Sequence, residues 1–246
     1  MTQLPWTRFV AFGDSLTEGV GDPTPSGLRG WADRLAEGLR AADPGLSYAN
    51  LAYRGLTTRG VIDAQLERVL EMEPDLTTAV VGMNDLIDPG FDAGRFAHDL
   101  DALVEPLCAT SSTVMMATYP DVTLHLRVPA RMKIRLRGRL LAANEVIRRT
   151  SSEHGTLLVD ADDLVERSTD VASFSIDRLH PGPLGHLLIA RAFADLLGDL
   201  AGVTIPMPDP AGGSHGAGRI GQARWLLGQV SPLDVVRFVS RLRSGR

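Results

Sequence analysis

Arg8-Phe9-Val10-Ala11-Phe12-Gly13-Asp14-Ser15-Leu16 is the stretch whose reading decides the fold. Five residues rich in Val and Phe run straight into Gly-Asp, the pattern of a short buried strand that stops in a turn. A helix should follow, and residues 31–42 supply it: Trp31, Leu35, Ala36 and Leu39 recur near helical spacing, and Asp43-Pro44-Gly45 ends the run. The alternation then repeats. Strands are expected at 47–51, 76–81, 113–118 and 156–159, and helices at 58–72, 91–108, 136–154 and 183–200. Parallel neighbours need crossover connections, so five strands separated by helices imply one parallel sheet with helices on both faces. The expected class is α/β, a three-layer α/β/α domain. In such sheets ligands gather outside the carboxyl ends of the strands, so those loops are where chemistry should be sought.

The bulk properties agree with one enzyme-sized domain. A chain of 246 residues can bury roughly 70% of its unfolded surface in a single core. With 44% hydrophobic and 22% charged residues, its composition excludes collagen-like, disordered and membrane-spanning classes. The net charge of -5 gives no overall attraction to nucleic acid, and no nucleic-acid partner is expected. Cys108 is the single cysteine, and the first residues lack the basic head and apolar run of a secretion signal, so a cytoplasmic location is expected. The expected division is a domain over 1–202, then a Pro- and Gly-rich linker with an amphipathic, basic helical tail over 203–246. That tail is expected to pack on its own domain, with weak contact to a membrane surface as the alternative.

Ser15 falls where the first strand ends and backbone N–H groups turn outward. A serine hydroxyl needs a neighbouring base to become a nucleophile, and the base needs an acceptor to orient it. Asp177-Arg178-Leu179-His180-Pro181 offers both: Asp177 stands three residues before His180, within reach of one ring nitrogen across a tight turn. An oxyanion further needs hydrogen-bond donors, each worth about 3 kcal/mol in the transition state. The N–H of Ser15, the bare N–H of Gly55 after the second strand, and the amide of Asn84 after the third are the candidates.

Gly13-Asp14-Ser15-Leu16, Gly55 after a strand, Gly82-Met83-Asn84-Asp85, and Asp177-Arg178-Leu179-His180-Pro181 closely resemble the four conserved blocks of the SGNH (GDSL-type) hydrolases. The likeness spans residues 8 to about 200, with the blocks in order and each at the carboxyl end of an expected strand. It implies a flavodoxin-like sheet, a Ser15/His180/Asp177 triad and an oxyanion hole from Ser15, Gly55 and Asn84. It also implies cleavage of carboxylic esters through an acyl-enzyme, with no metal or organic cofactor and a small-molecule ester as substrate. Acyl transfer, thioester cleavage and a non-catalytic acyl- or carbohydrate-binding role are the alternatives. Lipid, acetylated sugar and thioester substrates stay open at this level, as does oligomeric state.

Other motifs read as structural. Gly212-Gly213-Ser214-His215-Gly216 fits the G-x-S-x-G pattern, but no strand runs into it and Pro and Gly surround it. Asp160, Asp162 and Asp163 are expected to be an acidic helix start. His98, His125, His154 and His186 show no ligand spacing and are expected on the surface or in the core. Asp85 is expected to be structural. Arg127, Arg131, Lys133, Arg135, Arg137 and Arg139 are expected to form a basic run between the fourth strand and its helix, near where substrate binds. A solvated face is the first reading of that run and attraction of an anionic substrate the second.

Overall fold

The structure, a computed structural model, describes residues 4–110, 112–161 and 173–207. Its strands are β1 (Arg8–Ala11), β2 (Pro23–Thr24), β3 (Gly27–Leu28), β4 (Ser47–Asn50), β5 (Leu76–Thr78), β6 (Thr113–Ala117) and β7 (Leu157–Val159). β2 and β3 pair as a small antiparallel ribbon. The other five form one parallel sheet in the order β4-β1-β5-β6-β7. Counting only those five in chain order, this is the 2-1-3-4-5 arrangement of flavodoxin-like sheets, whose topological switch lies beside the first strand.

Alternation along β1 explains the layers. Phe9 and Ala11 point to one face, where they meet Trp31, Leu35 and Leu39 of α2 (Trp31–Ala42) and Phe193 and Leu197 of α8 (Pro183–Ala201). Val10 and Phe12 point to the other face, packing with α6 (Ala93–Ala109), α7 (Ala130–His154) and the helical stretch after β4. Phe9, Val10, Ala11 and Phe12 are all fully buried, as expected for a strand covered on both sides. Trp31 stacks on Phe193 at 4.8 Å, locking α2 to α8. Val203, Ile205 and Met207 pack into the same cluster, and the remainder of the tail from 208 lies outside the described residues.

Three local departures from the periodic expectation have physical causes. The strand expected over 76–81 ends at Thr78, with only an isolated bridge from Val80 to Gly13 beyond it. There the Thr78 hydroxyl, 3.3 Å from the Phe12 N–H, replaces a ladder partner. The helix expected over 58–72 is α3 (Thr58–Val61) and α4 (Glu67–Glu71) joined by a π-helical turn, Ile62–Leu66. The basic run does not precede its helix: α7 begins at Ala130, so five of the six cations ride on it. Met132, Leu136, Leu140 and Ala143 are its buried stripe, which the intervening Arg and Lys residues, good helix formers themselves, hid from the periodic reading. Among the described residues no helix is long and apolar enough to cross a membrane.

Candidate active site

Ser15 opens α1 (Ser15–Glu18), a single turn set directly after β1. Asp14 caps it, its Oδ1 accepting from Leu16 N at 3.0 Å. The turn before it is held by a residue the sequence did not flag. Gln65 accepts from the Gly13 N–H and donates to the Gly13 carbonyl, both at 2.9 Å, from inside the π turn. Widening the helix by one residue lets Gln65 reach a backbone that a regular helix would not place opposite it, and such turns are frequent at functional sites. Gly13 has φ 138°, and a Cβ there would stand 2.9 Å from the Val80 carbonyl oxygen, so only glycine fits.

The second half of the site is the loop before α8. Asp177 Oδ1 accepts from the N–H groups of Leu179 and His180, both at 3.0 Å, and from the Ser175 hydroxyl at 3.2 Å. Ser175 N donates to the His180 carbonyl at 2.9 Å and closes the loop, with Arg178 at φ 60° turning the corner. The loop docks on the segment after Ser15 at Gly21. With φ 110°, Gly21 lies so near Pro181 that a Cβ would sit 1.9 Å from its carbonyl oxygen.

The result is a continuous chain of hydrogen bonds. Asp177 Oδ2 lies 2.6 Å from His180 Nδ1, and His180 Nε2 lies 2.8 Å from Ser15 Oγ. An ionised carboxylate can only accept, so in the neutral ring Nδ1 carries the hydrogen and Nε2 accepts from the serine. Burial pushes the His180 pKa down, but the charge and hydrogen bond of Asp177 outweigh it and hold it above the ordinary histidine value. Burial also raises Asp177, yet the His180 charge and the loop N–H groups prevail and bring its pKa to about 2.

The three expected oxyanion donors differ in setting. Ser15 N is at the first turn of α1, where N–H groups have no intrahelical partner. Gly55 sits exposed in the loop after β4 with φ 85°. Asn84, in α5 (Met83–Ile87), sends Nδ2 to the Leu56 carbonyl at 2.9 Å and to Asp14 Oδ2 at 3.3 Å. Asp85 beside it accepts from Thr58 N and Thr58 Oγ1 at the start of α3. Asp14 is fully buried, and burial raises its pKa to about 6 against the hydrogen bond from Leu16.

An apolar cleft starts at Ser15 and His180 and runs toward the ends of β6 and β7. Ala117, Val159, Phe174, Leu179, Leu188 and Ile189 are among its walls. Of the basic run, Arg137 pairs with Asp121 at 3.1 Å, and Arg139 donates to the carbonyls of Leu86, Asp88 and Pro89. Asp160 is held by Arg148 and Thr118, whereas Asp162, Asp163 and the Gly212–Gly216 motif lie outside the described residues. His186 is in the core.

The chain belongs to the GDSL-like Lipase/Acylhydrolase family, whose pattern matches residues 11–188. A curated relative, an acetylxylan esterase of Geobacillus stearothermophilus, is 26% identical over 208 residues, 78% of this chain and 94% of that protein. An alpha/beta hydrolase enzyme from the metagenome of Lake Arreo, Spain, superposes with a TM-score of 0.66 at 25% identity, over 81% of this chain and 99% of that one. The solved structure of the Geobacillus stearothermophilus acetylxylan esterase superposes with a TM-score of 0.63 at 22% identity, over 80% and 97%, a likeness of fold. Catalytic mutants of that esterase have been solved with a serine, an aspartate and a histidine replaced in turn. Family membership supports carboxylic ester hydrolysis as the class of activity, in a three-layer SGNH-type fold.

Proposed function

We propose that the protein hydrolyses carboxylic esters through an acyl-enzyme on Ser15, with His180 as base and acid and Asp177 as its orienting carboxylate. The observation that carries this reading is the unbroken path from Asp177 Oδ2 to His180 Nδ1 and from Nε2 to Ser15 Oγ, at 2.6 and 2.8 Å. Ser15 Oγ attacks the ester carbonyl while its proton passes to His180 Nε2. The imidazolium so formed is stabilised by Asp177, then gives that proton to the leaving alkoxide as the carbon–oxygen bond breaks. Water enters and attacks the acyl carbonyl as it loses a proton to His180, which returns that proton to Ser15 Oγ as the acyl carbon–Oγ bond breaks and the acid is released.

The negative oxygen of each tetrahedral intermediate is received by the N–H groups of Ser15 and Gly55 and by Asn84 Nδ2. An amide nitrogen has two hydrogens. Asn84 spends one on Leu56, and the 3.3 Å bond to Asp14 is the weaker one that the oxyanion displaces. The same site would serve acyl transfer or thioester cleavage. Hydrolysis is favoured because the triad is partly open, with the His180 side chain 21% exposed, so water can replace the leaving group.

A fluorophosphonate probe tests the reading. The folded protein is expected to be labelled on Ser15 and Ser15→Ala to be unlabelled, with p-nitrophenyl ester turnover lost by about 10⁴-fold or more. Labelling or turnover that persists in a folded Ser15→Ala variant would overturn it.

A further inference from the structure

Gln65 occupies a place where an apolar side chain is expected. Val61 and Val69, four residues to either side of it, are buried in the core, and Gln65 between them is buried as well. An amide in such a stripe costs free energy unless its polar atoms are satisfied. Here both atoms go to one residue: Oε1 accepts from the Gly13 N–H and Nε2 donates to the Gly13 carbonyl, each at 2.9 Å. The π turn that carries the amide, Ile62–Leu66, is of a kind that is rare in helices and frequent at functional sites.

Gly13 is a junction of the site. Past the end of β4 the chain still follows β1, with Leu51 N donating to the Ala11 carbonyl at 2.8 Å and Tyr53 N to the Gly13 carbonyl at 3.1 Å. The Gly13 carbonyl thus receives Gln65 and Tyr53 together, one for each lone pair. Two residues beyond Gly13 stands Ser15, and two beyond Tyr53 stands Gly55. At φ 138°, with no side chain of its own, the Gly13 peptide is free to turn unless something grips it. From this geometry, and resting on the esterase reading above, we infer that Gln65 is a positioning residue for the reaction. Its amide fixes the plane of the Gly13 peptide and so sets where the Ser15 hydroxyl and N–H stand relative to the Gly55 loop. A displacement of about 1 Å at a reacting group is enough to cost about 10²-fold in rate. Gln65 does not line the cleft, so the effect falls on the chemical step and not on ester binding.

Two variants, checked for folding by circular dichroism, test the assignment. Gln65→Met, similar in size, removes both hydrogen bonds. With p-nitrophenyl acetate its kcat is expected to fall about 10²-fold while KM stays within about threefold, because acylation and deacylation both pass through a tetrahedral intermediate on Ser15. Gln65→Glu gives the sharper signature. A protonated carboxyl can accept from the Gly13 N–H and donate to its carbonyl as the amide does, whereas an ionised one only accepts and sets a charged oxygen against that carbonyl. Burial favours the protonated form. The ratio of kcat in Gln65→Glu to kcat in the unmodified protein is therefore expected to be highest at acid pH and to fall about tenfold or more as the introduced carboxyl ionises. Asp14, Asp85 and His180, the titratable groups around this turn, are present in both proteins and cancel in the ratio.

A folded Gln65→Met with kcat within about threefold of the unmodified protein, a loss carried by KM alone, or a Gln65→Glu ratio independent of pH would overturn the positioning role while Ser15-dependent turnover stands. Failure of both variants to fold would also overturn it, making Gln65 a residue of the core alone. Turnover that survives in Ser15→Ala would instead remove the esterase reading beneath it.

Discussion

His180 and His186 are six residues apart on the same stretch of chain, yet they differ in partners, in tautomer and in the direction of their pKa shifts. His180 lies in the loop before α8 between a carboxylate and a hydroxyl. His186 lies in the first turns of α8, fully buried, between two backbone groups. Its Nδ1 accepts from Trp31 N at 3.2 Å, so Nε2 carries the hydrogen and donates to the Val20 carbonyl at 3.1 Å. The two rings therefore hold opposite tautomers. Burial drives the His186 pKa down to about 3, and among the described residues no carboxylate counters it, whereas Asp177 keeps that of His180 raised. One ring is poised to accept a proton near neutrality and the other is kept neutral. The partner makes the difference, since burial acts on both.

The largest expected effect separates them by activity. His180→Ala should lower kcat/KM for a p-nitrophenyl ester by about 10⁴-fold or more without loss of the fold. His186→Phe should leave kcat/KM of the folded fraction within about fivefold, because it touches neither Ser15 nor Asp177. If both variants lost turnover equally while folded, the distinction would fail.

Next in size is the carboxylate. Asp177→Asn should lower kcat/KM by about 10³ to 10⁴-fold, since an amide nitrogen facing Nδ1 forces the wrong tautomer. The residual activity carries a second signature. The working base is neutral His180, so kcat/KM should rise with pH through a midpoint above 6.5, the ordinary histidine value, in the unmodified protein. In Asp177→Asn the midpoint should move down, because the group that holds the pKa up is gone. A pH–rate profile with an unmoved midpoint would mean that Asp177 does not set it.

The smallest effect is on stability, and here the two histidines have opposite signs. His180 has a raised folded pKa, so its contribution is present below about 6.5 and is lost as pH rises through its folded value. His186 has a folded pKa near 3, so its contribution is complete above about 6.5 and is lost as pH falls toward 3. Urea unfolding of the unmodified protein and of His186→Phe should show a stability difference that shrinks on acidification, at a limit of about 1.4 kcal/mol per pH unit between those values. Comparing the two proteins cancels the opposing titration of Asp14, whose pKa of about 6 lies in the same window. A difference independent of pH would mean that His186 is protonated in the native state.

Much of this was legible from residue order. The five strands and their helices follow from apolar spacing, because burial on both faces leaves short runs such as Phe9 to Phe12 and burial on one face leaves stripes such as Leu35 and Leu39. What escaped was set by contacts across the chain. The beginning of α7 was obscured because its cations interrupt the stripe while also favouring helix. The role of Gln65 depends on a π turn that no periodicity announces, and on a partner at Gly13, which is 52 positions away. His186 was legible only as surface or core, since nothing near it in sequence says that Trp31 and Val20 would enclose it.

By itself the sequence determined the short-range chemistry: a serine at the end of a strand, and an aspartate three residues before a histidine where a tight loop must join them. Hydrogen bonds between near neighbours are fixed by local backbone geometry, so order and spacing suffice to read them. Only the tertiary structure decided that His180 meets Ser15 across 165 positions, that Asp177 outweighs burial there, and that an apolar cleft opens beside them. Those outcomes depend on how parallel strands order themselves in the sheet and on which side chains close the space between layers. Both are collective properties of packing, carried by no short segment of the chain.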